Sequence, residues 1–217
     1  MAWLKCAVLI SGRGSNLQAL LDACDEPCFP AEIVAVLSNR ADAGGLKRAR
    51  AAGVATRVID HREFEDRDAF DGALDAALRE MGAEFICLAG FMRLLGATFV
   101  AAWPDQILNI HPSLLPAFKG LDSHEQALAA GVRLSGCTVH FVRAELDDGP
   151  IVAQAAVPVH PDDDAERLAA RVLKAEHCCY PLALRLVAEG RIRIDGSRVV
   201  LDGASTADEV LINPEPD

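Results

Sequence analysis

Apolar and polar positions follow two rhythms along this chain, and the rhythm changes near its middle. In the first half, short apolar runs are separated by stretches of helical period. Leu4 to Ile10 is apolar except for Lys5. After Ser11-Gly12-Arg13-Gly14 comes a helical pattern with Leu17, Leu20, Leu21 and Cys24 on one face. Ile33–Leu37, Thr56–Ile59 and Phe85–Ala89 read as further strands. Between them, helices are predicted over Ala43–Ala52, closed by Gly53, and over Asp66–Met81, closed by Gly82, with Phe70, Leu74, Ala77 and Leu78 inward. Near-continuous apolar strands alternating with helices predict a parallel sheet covered on both faces.

The second half reads differently. Gln106–Ile110 is a short strand running into His111-Pro112-Ser113, and Asp122–Ala130 is a helix. Thr138–Arg143 and Ile151–Val159 are longer strands of antiparallel character. A helix begins at the acidic stretch Asp162–Asp164, read as a solvated start, and runs to about Glu189 with a kink expected at Pro181. Arg191–Ile194 and Arg198–Leu201 form a hairpin around Asp195-Gly196. The expected fold is a single α/β domain over residues 1–202. Its sheet is a doubly wound, Rossmann-like, three-layer mixed sheet, parallel in the N-terminal half, with a C-terminal helix and hairpin. Residues 203–217, with Pro214 and Pro216, read as a frayed tail.

Composition narrows the function. Of 217 residues, 51% are hydrophobic, enough for a core without disulfides or metals, and the formal net charge is −11. That balance disfavours general nucleic-acid binding, which needs a basic field, but allows a local anion site made of backbone N–H groups. The apolar run before Ser11 is too short for a signal peptide, and Phe85–Met92 is far shorter than a membrane span. The chain is therefore expected in the cytoplasm, as a monomer or homodimer, with neither nucleic acid nor membrane as partner. The seven cysteines are an odd count, with Cys6, Cys87 and Cys137 in core strands, so no disulfide framework is implied. His177-Cys178-Cys179 and the pair Cys24/Cys28 lack metal-site spacing, and no metal is expected.

Two segments carry chemistry. Glycines in Ser11-Gly12-Arg13-Gly14-Ser15-Asn16 let the backbone approach an anion at a helix N-terminus. It matches neither the dinucleotide fingerprint nor the nucleoside-triphosphate loop, and a tight strand-to-helix turn is its plainer reading. The second segment is Leu108-Asn109-Ile110-His111-Pro112-Ser113-Leu114-Leu115-Pro116. Strand alternation puts Asn109 and His111 on one face, at the carboxyl end of a strand, where open α/β sheets bind ligands. Glu145-Leu146-Asp147-Asp148-Gly149-Pro150 joins two strands and supplies a carboxylate. An amide, an imidazole and a carboxylate suit acyl transfer to an amine: the first two stabilise the oxyanion, and the carboxylate favours the charged imidazole. Taken singly, these segments also read as an ordinary turn and loop, and nothing in their spacing joins Asp147 to His111. His140 reads as a packed or hydrogen-bonded strand histidine.

The run Asn109–Pro116, with Lys119-Gly120, Thr138-Val139-His140-Phe141-Val142 and Leu146-Asp147-Asp148-Gly149-Pro150-Ile151, resembles the folate-dependent formyltransferase family. Ile10–Leu17, Ser38–Ala43, Ala89–Leu95 and Glu176-His177 resemble its branch acting on glycinamide ribonucleotide. The resemblance spans about residues 6–201. It implies Asn109, His111 and Asp147 as catalytic residues, with 10-formyltetrahydrofolate as co-substrate and no covalent enzyme intermediate. Gly14, Ser15 and Asn16 would hold the ribonucleotide phosphate, and Glu176 its ribose. Met92, Arg93, Leu94 and Leu95 would line the pterin pocket, with Asn109 beside them. Arg143, Ala144, Glu145, Leu146 and Asp147 would form the pterin-side loop, and Arg67 would meet the folate's glutamate tail. Three positions depart from the family pattern: Arg13 in the phosphate loop, Asp122, and Asp148, whose charge is expected to face solvent. A deformylase and a non-catalytic folate- or nucleotide-binding module remain the alternative readings.

Overall fold

The computed structural model describes residues 3–203 and 211–213. Strands and helices follow in the order β1 (Leu4–Ile10), α1 (Ser15–Cys24), β2 (Ala31–Ser38), α2 (Gly45–Ala51), β3 (Ala55–Val58), α3 (Arg67–Glu80), β4 (Phe85–Leu88), α4 (Ala97–Ala102), β5 (Ile107–His111), α5 (Ser123–Ala129), β6 (Leu134–Phe141), β7 (Ile151–Pro158), α6 (Ala165–Ala188), β8 (Ile192–Asp195) and β9 (Arg198–Leu201). A single 3-10 turn, His61–Glu63, lies between β3 and α3. The main sheet has seven strands in the order β3-β2-β1-β4-β5-β6-β7. Pairing is parallel from β3 to β5 and antiparallel between β5 and β6 and between β6 and β7. This is the expected doubly wound mixed sheet. The chain leaves β1 toward β2 and β3, then crosses back to β4 and β5, which opens a crevice at the carboxyl ends of β1 and β4.

Strand β1 shows why its run is apolar from Cys6 to Ile10. Cys6, Val8 and Ile10 join the core beneath α1, α2 and α6, with Leu17, Leu20, Leu46, Tyr180 and Leu184. Ala7 and Leu9 face the opposite side, with Phe70, Leu74 and Leu78 of α3 and Phe99 of α4. Each side chain is fully buried on one face or the other, so alternation is invisible in the sequence. The Tyr180 hydroxyl lies within hydrogen-bonding distance of two strand carbonyls, Leu88 O (3.1 Å) and Leu108 O (3.2 Å), tying α6 to β4 and β5. The hairpin β8–β9 rests Ile192, Ile194, Val199 and Leu201 on the same core and lies beside β7.

Several expectations shift. Strand β6 starts at Leu134 rather than Thr138, and α4 was not foreseen. Helix α6 runs through Pro181 as one element. The solvated helix start is corrected at Asp163. That side chain is only 2% exposed and pairs with Arg171 at 2.6 Å, and the guanidinium holds its carboxyl at about 2. Asp164 is the true cap, accepting from the Arg167 N–H (2.8 Å). The predicted frayed tail falls largely outside the described residues; within it, Asn213 Nδ2 donates to the Val159 carbonyl (3.0 Å).

Replacing Tyr180 by Phe removes the hydroxyl that ties α6 to two strands. Tyr180→Phe is expected to lose about 1–2 kcal/mol of stability by urea unfolding, with native far-ultraviolet circular dichroism retained.

Candidate active site

Backbone pairing builds the centre of the site. Asn109 lies opposite His140 and His111 opposite Thr138 across β5 and β6. Directly opposed residues share a face, so these four form one polar block. On the other face, Leu108, Ile110, Val139 and Phe141 enter the core.

Hydrogen bonding fixes the ring states. His140 is 2% exposed, and its Nδ1 meets the Phe141 carbonyl at 3.0 Å. A carbonyl only accepts, so Nδ1 carries the hydrogen, and Nε2 accepts from Asn109 Nδ2 at 3.2 Å. Burial depresses the pKa of His140, which keeps the ring neutral. His140 thus orients the Asn109 amide, in line with a strand histidine that hydrogen-bonds rather than reacts. His111 is 5% exposed, and its Nε2 donates to the Phe118 carbonyl (2.9 Å). Its Nδ1 stands 3.4 Å from Asp147 Oδ2. Both ring nitrogens face acceptors, an arrangement that the imidazolium satisfies with a hydrogen on each.

Asp147 reaches this block from the loop between β6 and β7. Its backbone is left-handed (φ 49°), a region that Asp tolerates better than most residues. Oδ2 accepts from the Gly120 N–H (2.9 Å), and Oδ1 lies 3.7 Å from His140 Nε2. The loop can fold back this far because position 149 is glycine: a Cβ there would stand 1.6 Å from the Phe141 carbonyl oxygen. The neighbouring Asp148 does face solvent, where Lys119 pairs with it and lowers its pKa. The turn after His111 is pinned by Thr138, whose hydroxyl donates to Ser113 O (2.7 Å) and accepts from the Leu115 N–H (3.0 Å) and Gln154 Nε2 (2.9 Å). Asp122 begins α5 with φ 55°, a conformation that favours Asp or Asn there.

The glycine loop leads from β1 into α1. Gly14 has φ 72°, and a Cβ on it would lie 2.6 Å from Gly45 Cα, so the loop and the start of α2 touch backbone to backbone. No side chain among the described residues caps α1, which leaves the first-turn N–H groups of Ser15, Asn16 and Leu17 without helical acceptors. Asn16 Nδ2 donates to Glu176 Oε2 (2.7 Å), while Asn16 Oδ1 is buried with no partner among the described residues. Burial pushes the Glu176 carboxyl above the ordinary range, offset by Asn16 and by the field of His111. Arg13 is exposed and its carbonyl accepts from Arg48 (3.0 Å).

The predicted pterin residues form an irregular segment after β4. Met92 and Leu94 are exposed, as is Leu146 on the loop between β6 and β7. Side chains hold this segment at both ends: Ser11 Oγ accepts from the Met92 N–H (2.8 Å), and Asp71 Oδ2 from the Gly96 N–H (2.7 Å). Arg93 and Arg67 lie within electrostatic range of Asp71. Ala144 and Glu145 are exposed on the β6–β7 loop. The Arg143 side chain turns away and pairs with Asp105 (2.6 Å). Sequence reasoning missed Thr138, Gln154, Asp71 and His124, whose ring senses His111 and has its pKa lowered by burial. Two signals were available: Thr138 shares the strand face of His140, and Asp71 interrupts the buried stripe of α3.

Residues 4–184 match the model of the formyl transferase family. The chain belongs to that family. It is 45% identical over 200 residues to the phosphoribosylglycinamide formyltransferase of Escherichia coli (strain K12), covering 92% of this chain and 94% of that one. It is 53% identical over 191 residues to the trifunctional purine biosynthetic protein adenosine-3 of Gallus gallus, where 88% of this chain spans 19% of the longer relative. Among solved structures, glycinamide ribonucleotide transformylase 1 from Symbiobacterium toebii superimposes with a TM-score of 0.91 at 52% identity, covering 92% of this chain and 94% of that one. This formyl transferase therefore has close relatives over nearly all of its sheet.

Because Glu176 holds its proton more tightly folded than unfolded, its ionisation costs stability as pH rises from the unfolded value of about 4.3. Glu176→Gln removes that cost. The stability difference, variant minus native, should grow more favourable between about pH 4 and about pH 7 in urea titrations, and a difference independent of pH would contradict the assignment.

Proposed function

We propose that this formyl transferase moves the formyl group of 10-formyltetrahydrofolate onto the amine of 5'-phosphoribosylglycinamide, the transfer that serves de novo purine (IMP) biosynthesis. The observation that carries this reading is the placement of Asn109, His111 and Asp147 at the end of β5, beside an uncapped helix start and the Asn16–Glu176 pair.

The residues fit both substrates. The first-turn N–H groups of α1 suit a phosphate, and the unpartnered Asn16 Oδ1 with the Glu176 carboxyl suits ribose hydroxyls. The exposed apolar side chains of Met92, Leu94 and Leu146 suit a flat heterocycle, with the loop's backbone groups available to its polar edge. The folate supplies the formyl group at the amide oxidation level. Arg67 would meet the carboxylate tail of the folate, and the Arg143 side chain is held by Asp105.

Chemically, the ribonucleotide's neutral amine adds to the formyl carbon, and the carbonyl oxygen gains negative charge. Asn109 has a second amide N–H free of the His140 bond to aim at that oxygen, and the charged ring of His111 adds its field. His111 Nε2–H now serves the Phe118 carbonyl, so direct donation from it requires the turn at 116–120 to release that hydrogen. Asp147 balances the imidazolium and fixes its plane. As the tetrahedral adduct collapses, the bond to the folate nitrogen breaks, and the proton lost by the amine reaches that nitrogen through water held near Asp147. The products are the N-formyl ribonucleotide and tetrahydrofolate.

Tetrahydrofolate release should require the ribonucleotide and yield no free formate. Formate release without it would identify a deformylase, and binding without turnover a passive binding module. His111→Ala is expected to cut kcat by about a thousandfold with ribonucleotide affinity within about twofold. Undiminished turnover in that variant would overturn the proposed role of His111.

A further inference from the structure

Ser11 and Asn39 belong to none of the catalytic or binding positions above, yet they join both halves of the cleft. Ser11 is the first residue beyond β1 and opens the glycine loop. Its N–H donates to the Gly90 carbonyl (3.1 Å), and its hydroxyl oxygen accepts from the Met92 N–H (2.8 Å). One residue thus grips the segment after β4 at two points. Its own hydroxyl hydrogen goes to Asn39 Oδ1 (2.6 Å). Asn39, just past β2, is 3% exposed, and its amide Nδ2 stands 3.2 Å from His61 Nδ1 on the 3-10 turn. With Nδ2 donating to His61, both polar atoms of the Asn39 side chain have a partner, and its Oδ1 sets the direction of the Ser11 hydroxyl.

We infer that Ser11 and Asn39 are positioning residues that couple the two substrate sites. Ordering the glycine loop around a ribonucleotide phosphate stiffens Ser11, and through its hydroxyl the Met92 N–H at the entry of the pterin segment. That segment has no regular secondary structure of its own, and among the described residues a second side-chain tether is Asp71 at Gly96. Each ligand therefore lowers the ordering cost of the other, and by linkage the effect is reciprocal. The inference rests on the transfer reading above, since it needs a phosphate ligand on one side of Ser11 and a folate on the other.

The test is calorimetric titration of the full chain with tetrahydrofolate, with and without saturating glycinamide ribonucleotide. The native chain is expected to bind tetrahydrofolate about fivefold more tightly when the ribonucleotide is present. In Ser11→Ala the tetrahydrofolate Kd should rise about tenfold and the coupling fall below about twofold, while the ribonucleotide Kd moves little. Asn39→Leu should also lose coupling. Asn39→Asp keeps an acceptor for the Ser11 hydroxyl and should retain it, a rescue that loss of packing alone would not produce. Coupling in Ser11→Ala and Asn39→Leu equal to that of the native chain overturns the inference, whatever their melting temperatures. A native chain that binds both ligands without coupling overturns it as well and leaves the transfer reading standing. A native chain that binds neither ligand overturns both.

Discussion

A single carboxylate has to serve three neighbours at once, and the site is arranged around that demand. Asp147 faces His111, His140 and the Gly120 N–H from a side chain that is 7% exposed. A buried charge is tolerable only if it is paired and hydrogen-bonded. The pairing must come from His111, because burial keeps His140 neutral. The two histidines on this polar face divide the work: His111 stands beside the carboxylate with both ring nitrogens facing acceptors, and His140 is a neutral acceptor that orients an amide.

Reaching that arrangement sets conditions on chain segments far from it. The loop from β6 must double back, which needs a glycine against the Phe141 carbonyl and a left-handed aspartate. The turn after β5 must present the Gly120 N–H, and Thr138 and Gln154 hold that turn with hydroxyl and amide bonds. None of these residues need touch a substrate. Their contribution is to remove alternatives, so that Asp147, His111 and His140 meet in one geometry.

The doubly wound sheet was legible because buried parallel strands and amphipathic helices leave strong local patterns. Strand β6 was read four residues short because Ser135 and Gly136 interrupt its apolar run; both are buried through pairing with β7, a relation between distant segments. The short α4 fills less than two turns and carries no cap among the described residues. At the site, alternation alone put Asn109 and His111 together. The meeting of Asp147 with His111 depends on a loop conformation that no periodicity encodes, and the family resemblance supplied it. His140 reads as a packed or hydrogen-bonded strand histidine, but its particular partner, Asn109, is selected by strand register. Asp163 was read as solvated because its partner, Arg171, lies two turns along the helix.

The two edges of the sheet are built differently. Strand β3, at one end, is four residues long, with Arg57 drawn back to Glu80. Beyond β7, at the other, lies the hairpin β8–β9, with its apolar side chains on the core. An open sheet of this width would otherwise present two rows of unpaired backbone groups to passing chains. A short strand with a paired arginine at one end and a hairpin lying beside the strand at the other make poor templates for an added strand. The open carboxyl-end cleft can thus stay accessible to small molecules without the fold inviting aggregation along its edges.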